Sequence, residues 1–226
     1  MNWEEIEKEY QSISKKNWEV TGTDDSTMSG MEAWDYEFLV RYITENKPKN
    51  IVEYGSGIST YMIDKLLTEL DYGATFISFE DDPYWYEKIQ KSGLDLNNRV
   101  QLVDITTHTV ELTKDFTKSY IGVRYEHGYE NMQETDLVLI DGPELNKLNA
   151  DTTLNLHDMV NTIGYVPTYW IDGRHRTVQY YNHLGYEEHQ IHARRDLYEV
   201  RKLHPELSDD QAQQYVITNN FKLKLK

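Results

Sequence analysis

One ten-residue stretch restricts the fold more than any other part of this chain. Ile51-Val52-Glu53-Tyr54-Gly55-Ser56-Gly57-Ile58-Ser59-Thr60 joins a β-branched run to a glycine turn and then to an apolar helix opened by hydroxyl residues. Strand, glycine turn and helix N-terminus in this order build a small-ligand pocket at the carboxyl end of a strand. Glycines let a ligand approach bare backbone. Glu53, two residues before the first glycine, adds a negative acceptor. That pairing suits a ligand offering hydroxyls and a cation more than one offering a pyrophosphate.

Strand and helix patterns alternate around this segment. Strands are expected at Asn50–Tyr54, Thr75–Glu80, Arg99–Ile105, Asp136–Asp141, Tyr165–Asp172, Glu187–Ala193 and Leu197–Lys202. Helices are expected at Ile58–Leu70, from Asp82-Pro83 to near Gly93, within Leu145–Ile163 and at His175–Leu184. Repeated strand–helix units predict an α/β, doubly wound, mainly parallel sheet of seven strands with helices on both faces. Residues 1–20 and 32–46 read as amphipathic helices, the second stopped by Pro48. The stretch 106–135 is poorly patterned. Ser208-Asp209-Asp210 opens a tail helix, and Phe221–Lys226 alternates apolar residues with lysine, as an edge strand does. One domain is expected over residues 1–226: an N-terminal helical cap at 1–49, a core at 50–202, and a C-terminal helix and edge strand at 203–226.

Composition excludes several classes. The chain has no cysteine, so disulfides and thiolate metal sites are out. No apolar run approaches the roughly 20 residues of a membrane span, and the acidic Met1–Tyr10 does not resemble a signal peptide, so a cytoplasmic protein with no membrane partner is expected. The net charge of −16 repels nucleic acid at long range.

Acids recur at the ends of successive strands: Glu53, Glu80, Asp104 and Asp141. In a parallel open sheet those ends share one edge, where ligands bind. Glu80 fits a ribose-binding acid of either a dinucleotide or a nucleoside cofactor. Thr60 stands where a dinucleotide fingerprint wants its third glycine, which disfavours NAD.

Three segments carry a family resemblance. Glu53-Tyr54-Gly55-Ser56-Gly57 resembles motif I of the class I (Rossmann-like) S-adenosylmethionine-dependent methyltransferase superfamily. Ile77-Ser78-Phe79-Glu80-Asp81-Asp82-Pro83 with Trp85 resembles its second-strand motif, and Asp136–Pro143 its fourth-strand motif. The resemblance spans about residues 28–200 by order of elements, and its cofactor would be S-adenosyl-L-methionine. It implies that backbone at Glu53, Tyr54, Gly55, Ser56 and Gly57 lines the methionine part and ribose. Ser59 and Thr60 would bond the carboxylate end and Glu80 the ribose hydroxyls. Asp81 would flank ribose and adenine, Asp104 and Ile105 would lie at the adenine, and Asp141 beside the sulfonium and the nucleophile.

Methyl transfer from a sulfonium is an in-line displacement, so the protein mainly aligns its reactants. A hydroxyl or protonated-amine nucleophile also needs a base. Asp141 is the first candidate, Asp172 and His175 the next, and His127 a third. Arg174 or Arg176 could hold an anionic group of the substrate. Some related O-methyltransferases bind a divalent metal through an acid after the fourth strand and an Asp-Asp-Asn group after the fifth. Ile171-Asp172-Gly173 lacks that group, so no obligatory metal is expected.

The expected activity is methyl transfer to a small polar acceptor or glycan, at oxygen. Substrate loops are expected in 1–49 and 106–135, with Trp34, Tyr36, Tyr120, Tyr125 and Tyr129 as cleft candidates and Thr27-Met28-Ser29-Gly30 closing over the methionine end. Two alternatives stand beside this: an aminopropyltransferase-like or other user of the same cofactor, and a non-catalytic binding or assembly module that retains the fold.

Overall fold

Ile51, Val52, Glu53 and Tyr54 are all buried, as a strand covered on both faces requires. In the computed structural model the described residues are 33–91, 99–111, 119–127, 132, 134–146, 148–204 and 206–218. Along the chain they form α1 (Ala33–Asn46), β1 (Asn50–Tyr54), α2 (Ile58–Leu70), β2 (Thr75–Glu80), α3 (Pro83–Lys91) and β3 (Val100–Leu102). There follow β4 (Ile105–Glu111), β5 (Ser119–Tyr125), β6 (Leu137–Ile140), β7 (Thr152–Thr153) and α4 (Asn155–Ile163). The chain continues through β8 (Thr168–Ile171), α5 (His175–His183), a 3-10 turn (Glu187–His189), α6 (Arg195–Leu203) and α7 (Asp209–Thr218). These divide into two compact units, Lys47–His192 and a second drawn from Met1–Asn46 and Ala193–Lys226.

In the larger unit five parallel strands lie in the order β3-β2-β1-β6-β8. Progress runs outward from β1 through β2 to β3, then restarts on the other side of β1 with β6 and β8. The switch in direction therefore falls between β1 and β6, where open α/β sheets form their ligand crevice. Alternate residues of β1 serve opposite faces. Val52 and Tyr54 join the core with Leu156 and Met159 of α4 and Tyr180 and Tyr181 of α5. Glu53 faces the start of α2, whose Met62, Ile63, Leu66 and Leu67 are buried.

Among the described residues the parallel sheet has five strands rather than the expected seven. The expected strand at 99–105 leaves the sheet after Leu102, and Ile105 begins a separate antiparallel hairpin, β4 with β5, flanked by β7 parallel to β5. Most of β4 is exposed, so its β-branched residues carry no apolar alternation and its pairing with β5 sets its conformation. The stretches expected as strands six and seven are also different. Residues 187–189 form a 3-10 turn, and only Gln190 makes a bridge, to Tyr169. Residues 195–203 are helical: Leu197, Val200 and Leu203 recur at a spacing of three, and Tyr198 and Val200 are buried.

The smaller unit is helical among its described residues. In α1 the buried Glu37 accepts from Arg201 of α6 at 2.8 Å. Trp34 meets the edge of Tyr198, with the Arg195 guanidinium 4.4 Å above its ring. Val200, Ala212 and Val216 form a small core between α6 and α7. The tail helix starts as expected: Ser208 and Gln211 bond each other's backbone N–H at its N-terminus. The expected helix at 1–20, the loop at 27–30, Tyr129 and the strand at 221–226 lie outside the described residues. No helix among the described residues is long and apolar enough to cross a membrane.

Candidate functional site

Three strand ends are stitched together where β1 stops. Tyr54 C=O accepts from both Asp141 N–H (2.8 Å) and Gly142 N–H (2.6 Å), while Gly55 N–H donates to Phe79 C=O at 2.8 Å. Gly55 sits at φ +93°, a region that favours glycine. A Cβ there would stand 2.3 Å from Gly142 N, and one at Gly142 would meet Gly55 Cα at 2.4 Å. The two loops touch backbone to backbone because neither residue has a side chain. Gly57 differs: its backbone is extended, and a Cβ there would meet nothing within 4 Å. Its bare Cα faces open space beside the switch point, as a ligand cradle requires.

Beneath this loop lies a closed polar network. Glu53 is fully buried, and its carboxylate accepts from Ser59 Oγ (2.5 Å), Thr60 Oγ1 (2.5 Å) and Ser78 Oγ (2.6 Å). Burial raises the pKa of Glu53, and these three hydroxyls oppose the rise. Thr60 also accepts Gly57 N–H at 2.9 Å, so it caps α2 and anchors Glu53 together. The sequence pointed Ser59 and Thr60 at a ligand; their hydroxyls turn inward to Glu53 instead. Ser78 connects the network outward through a 2.6 Å contact with Ser56 Oγ.

Glu80 holds the loop from the β2 side. Its Oε2 accepts Ser56 N–H at 2.9 Å, and its Oε1 accepts Asp81 N–H (3.1 Å) and Asp82 N–H (2.9 Å). A carboxylate has about four accepting positions, so these contacts leave one on Oε2 for a ligand. Only 5% of Glu80 is exposed. Burial outweighs the three N–H donors and pushes its pKa up to about 7. Asp81 accepts from the Tyr125 hydroxyl at 3.0 Å, and burial raises its pKa too.

Tyr54, Phe79 and His127 stack on one another at this edge, with Tyr125 tilted against Tyr54. His127 lies flat on Phe79 at 4.0 Å between centroids, and its Nε2 is 3.1 Å from the Tyr54 hydroxyl. That packing ties His127, the third base candidate, to the rings of Phe79 and Tyr54. Asp104 is exposed in the link from β3 to β4, beside the end of β2, where Val103 N–H bonds Glu80 C=O at 2.9 Å. Ile105 pairs with Tyr125 in the hairpin.

On the other side of the switch point, Asp141 and Asp172 follow directly from the paired strand ends Ile140 and Ile171. Asp172 N–H donates to Ile140 C=O at 3.1 Å. The Asp141 side chain is 35% exposed, and its Oδ1 pairs with Arg174 Nη2 at 3.8 Å. Its backbone is fixed on both sides, by Tyr54 at its N–H and by Arg174 at its carbonyl. Arg174 also donates to Pro143 C=O at 2.5 Å. Its guanidinium therefore fastens the loop after β6, whereas the sequence suggested it for a substrate anion. Arg176 pairs with Asp151, and His175 is exposed at the start of α5. No group of three or more His, Asp or Glu among the described residues is placed to hold a metal ion.

Ser78 and Gly142 are the site members to which the sequence assigned no role; Tyr125 was expected only as a cleft candidate. A serine inside the apolar run Phe76–Phe79 was the one signal available for Ser78, since a buried hydroxyl needs a partner.

No family model and no curated protein matches this chain. Solved structures do. A Klebsiella pneumoniae protein named as an O-methyltransferase is 17% identical with a TM-score of 0.37, over 67% of this chain and 58% of that one. The SAH-bound methyltransferase PaMTH1 of Podospora anserina is 16% identical with a TM-score of 0.42, over 76% of this chain and 70% of that one. The chain thus spans less than two thirds of the length of the Klebsiella protein.

Proposed function

We propose that this chain is an S-adenosylmethionine-dependent methyltransferase acting at an oxygen of a small polar acceptor or glycan. One observation carries the reading. A glycine loop with an open Cα at Gly57 lies at the switch point of a parallel sheet, clamped by Glu80, which keeps one accepting position. The three motif segments quoted above supply this loop, Glu80 and Asp141 in that order.

The cofactor, when bound, supplies a methyl group on a sulfonium. Every other part of the chemistry falls to the chain. Gly55–Gly57 offers backbone against which the methionine and ribose portions can lie. Glu80 accepts from ribose hydroxyls, and Asp81 flanks them. Asp104 and Ile105 stand on the adenine side, with Asp104 exposed to accept from an exocyclic amine. Asp141 takes the proton of the acceptor hydroxyl at its carboxylate. Its backbone is immobilised by Tyr54 and Arg174, and its carboxylate, paired with Arg174 at 3.8 Å, still reaches solvent, a combination that suits a base aligned with an incoming nucleophile. Asp172, on the adjacent strand end, and His175 are second candidates. The acidic surface argues for a small or glycan acceptor over a nucleic acid.

Calorimetric titration with S-adenosylmethionine, S-adenosylhomocysteine and NAD tests the cofactor. Binding of the two sulfur compounds and not of NAD is expected, with Glu80→Ala weakening both. If neither sulfur compound binds, the reading fails. An acceptor screen with Asp141→Ala as its control then tests the chemistry.

A further inference from the structure

Tyr125 crosses the seam between the two sides of the site. At the end of β5 its backbone is held twice by the Asn155 side chain, which accepts its N–H at 3.0 Å and donates to its C=O at 3.2 Å. Asn155 is fully buried in the first turn of α4. The Tyr125 ring is buried too, tilted against Tyr54 at 5.5 Å between centroids. Its hydroxyl reaches Asp81 Oδ1 at 3.0 Å, on the loop after β2. That bond stands whether Asp81 is ionised or neutral, because a phenol donates to either form. The same oxygen lies against the loop after β6: a Cβ on Gly142 would stand 2.2 Å from it. Gly142 is thereby enclosed. Tyr54 C=O takes its N–H, Arg174 takes the carbonyls of both its neighbours, and the Tyr125 oxygen covers its Cα. Phenylalanine would fill the ring packing equally well, and a buried hydroxyl is costly unless bonded. What the oxygen adds is its contact with the two loops.

We propose that Tyr125 is a positioning residue, a rigid spacer whose hydroxyl holds the loop carrying Asp141 at a fixed distance from the loop carrying Asp81. This rests on the S-adenosylmethionine reading above, in which Asp81 flanks the cofactor and Asp141 faces the acceptor. In-line transfer depends on the separation of those two groups, and a displacement of about 1 Å costs turnover up to about 10²-fold. Tyr125 acts without touching either reactant. The proposal also gives a purpose to the β4–β5 hairpin, which stands outside the parallel sheet yet sends this one side chain to its edge.

Tyr125→Phe removes the oxygen and keeps the ring. Amide hydrogen exchange of the ligand-free protein reads the result: Gly142 N–H, bonded to Tyr54 C=O, reports local opening, and Val138, between β1 and β8, reports global opening. Gly142 exchange should rise about tenfold relative to Val138, the scale of one lost hydrogen bond. A merely structural hydroxyl would shift both amides alike. Asp81→Ala frees the hydroxyl from its other end; it should raise the same ratio by a smaller factor, and no further in the Tyr125→Phe background. It carries the test should Tyr125→Phe fail to fold. In Tyr125→Phe the calorimetric affinity for S-adenosylhomocysteine should match wild type, while kcat with an acceptor from the screen should fall about tenfold or more. Exchange decides alone should the screen give no acceptor. The proposal is overturned if the Gly142-to-Val138 ratio is unchanged in either variant, if Asp81→Ala raises it further in the Tyr125→Phe background, or if affinity falls as far as kcat. Wild-type protein that binds no sulfur compound overturns the cofactor reading and this proposal together; wild-type binding with an unchanged ratio overturns this proposal alone.

Discussion

The two halves of the sheet edge are built differently. On the β1–β2 side the acidic side chains are engaged in an internal network: Glu53 by three hydroxyls, Glu80 by three backbone N–H groups. On the β6–β8 side the backbone is engaged as firmly as the side chain. Tyr54 and Arg174 hold the main chain at Asp141, and the carboxylate, 3.8 Å from the Arg174 guanidinium, extends into a partly exposed position. The first arrangement fixes the shape of a loop, as binding demands. The second fixes the origin of a side chain while leaving its end accessible, as proton transfer demands. Under the proposed function, the difference separates a preorganised binding half from a reactive half.

The largest way to break this arrangement is at the seam between the halves. Gly142→Ala drives a Cβ into Gly55 Cα at 2.4 Å and the Tyr125 hydroxyl at 2.2 Å. It should cost about 3 kcal/mol or more, read as a fall in Tm of roughly 6–12 °C.

A pH scan tests the binding half next. Burial lifts the Glu80 pKa from 4.5 to about 7, so the folded chain holds a proton that the unfolded chain has released between those values. The sign follows: Glu80 makes stability fall as pH rises from 4.5 to 7 and adds no further slope above that range. Its contribution is on the order of 3 kcal/mol. Denaturant titrations of wild type and Glu80→Gln at pH 5 and pH 8 should show that slope in the wild type and a reduced one in the variant. Equal slopes would mean that the Glu80 carboxylate is not buried in solution.

Ser78→Ala is smaller. It removes one of three donors from the buried Glu53 and should cost about 1–2 kcal/mol. Asp141→Asn should change stability by under about 1 kcal/mol, the scale of a partly exposed ion pair, while lowering kcat by about 10²–10⁴. A comparable loss of stability in Asp141→Asn would erase the distinction between the halves.

The sequence made part of this legible. Its bounds for β1, α2 and β2 coincide with the observed ones, because each is a strongly apolar run punctuated by Gly or Pro. The edge acids were also readable. What each acid touches was not. Glu53 meets Ser78 because β1 and β2 pair with those two residues side by side, and strand register is a tertiary fact absent from either segment alone. The β4–β5 hairpin escaped for a related reason: exposed Thr and His residues carry no alternation, and the strand exists through its partner. At α6 an apolar pattern compatible with periods of two and three was read as the wrong one.

Gly57 separates fold from binding most directly. Its backbone is extended, its Cα faces open space, and it occupies the N-cap of α2, a position where asparagine is favoured. Gly57→Asn should therefore leave stability within about 0.5 kcal/mol of wild type while filling the space a ligand would take. Thermal unfolding of both proteins with and without saturating S-adenosylhomocysteine is the deciding measurement. The account predicts matching Tm values without ligand and a ligand-induced rise in the wild type alone, about 2.7 kcal/mol at a hundredfold excess over Kd. Equal rises in both proteins, or none in the wild type, would contradict a cofactor site at this loop.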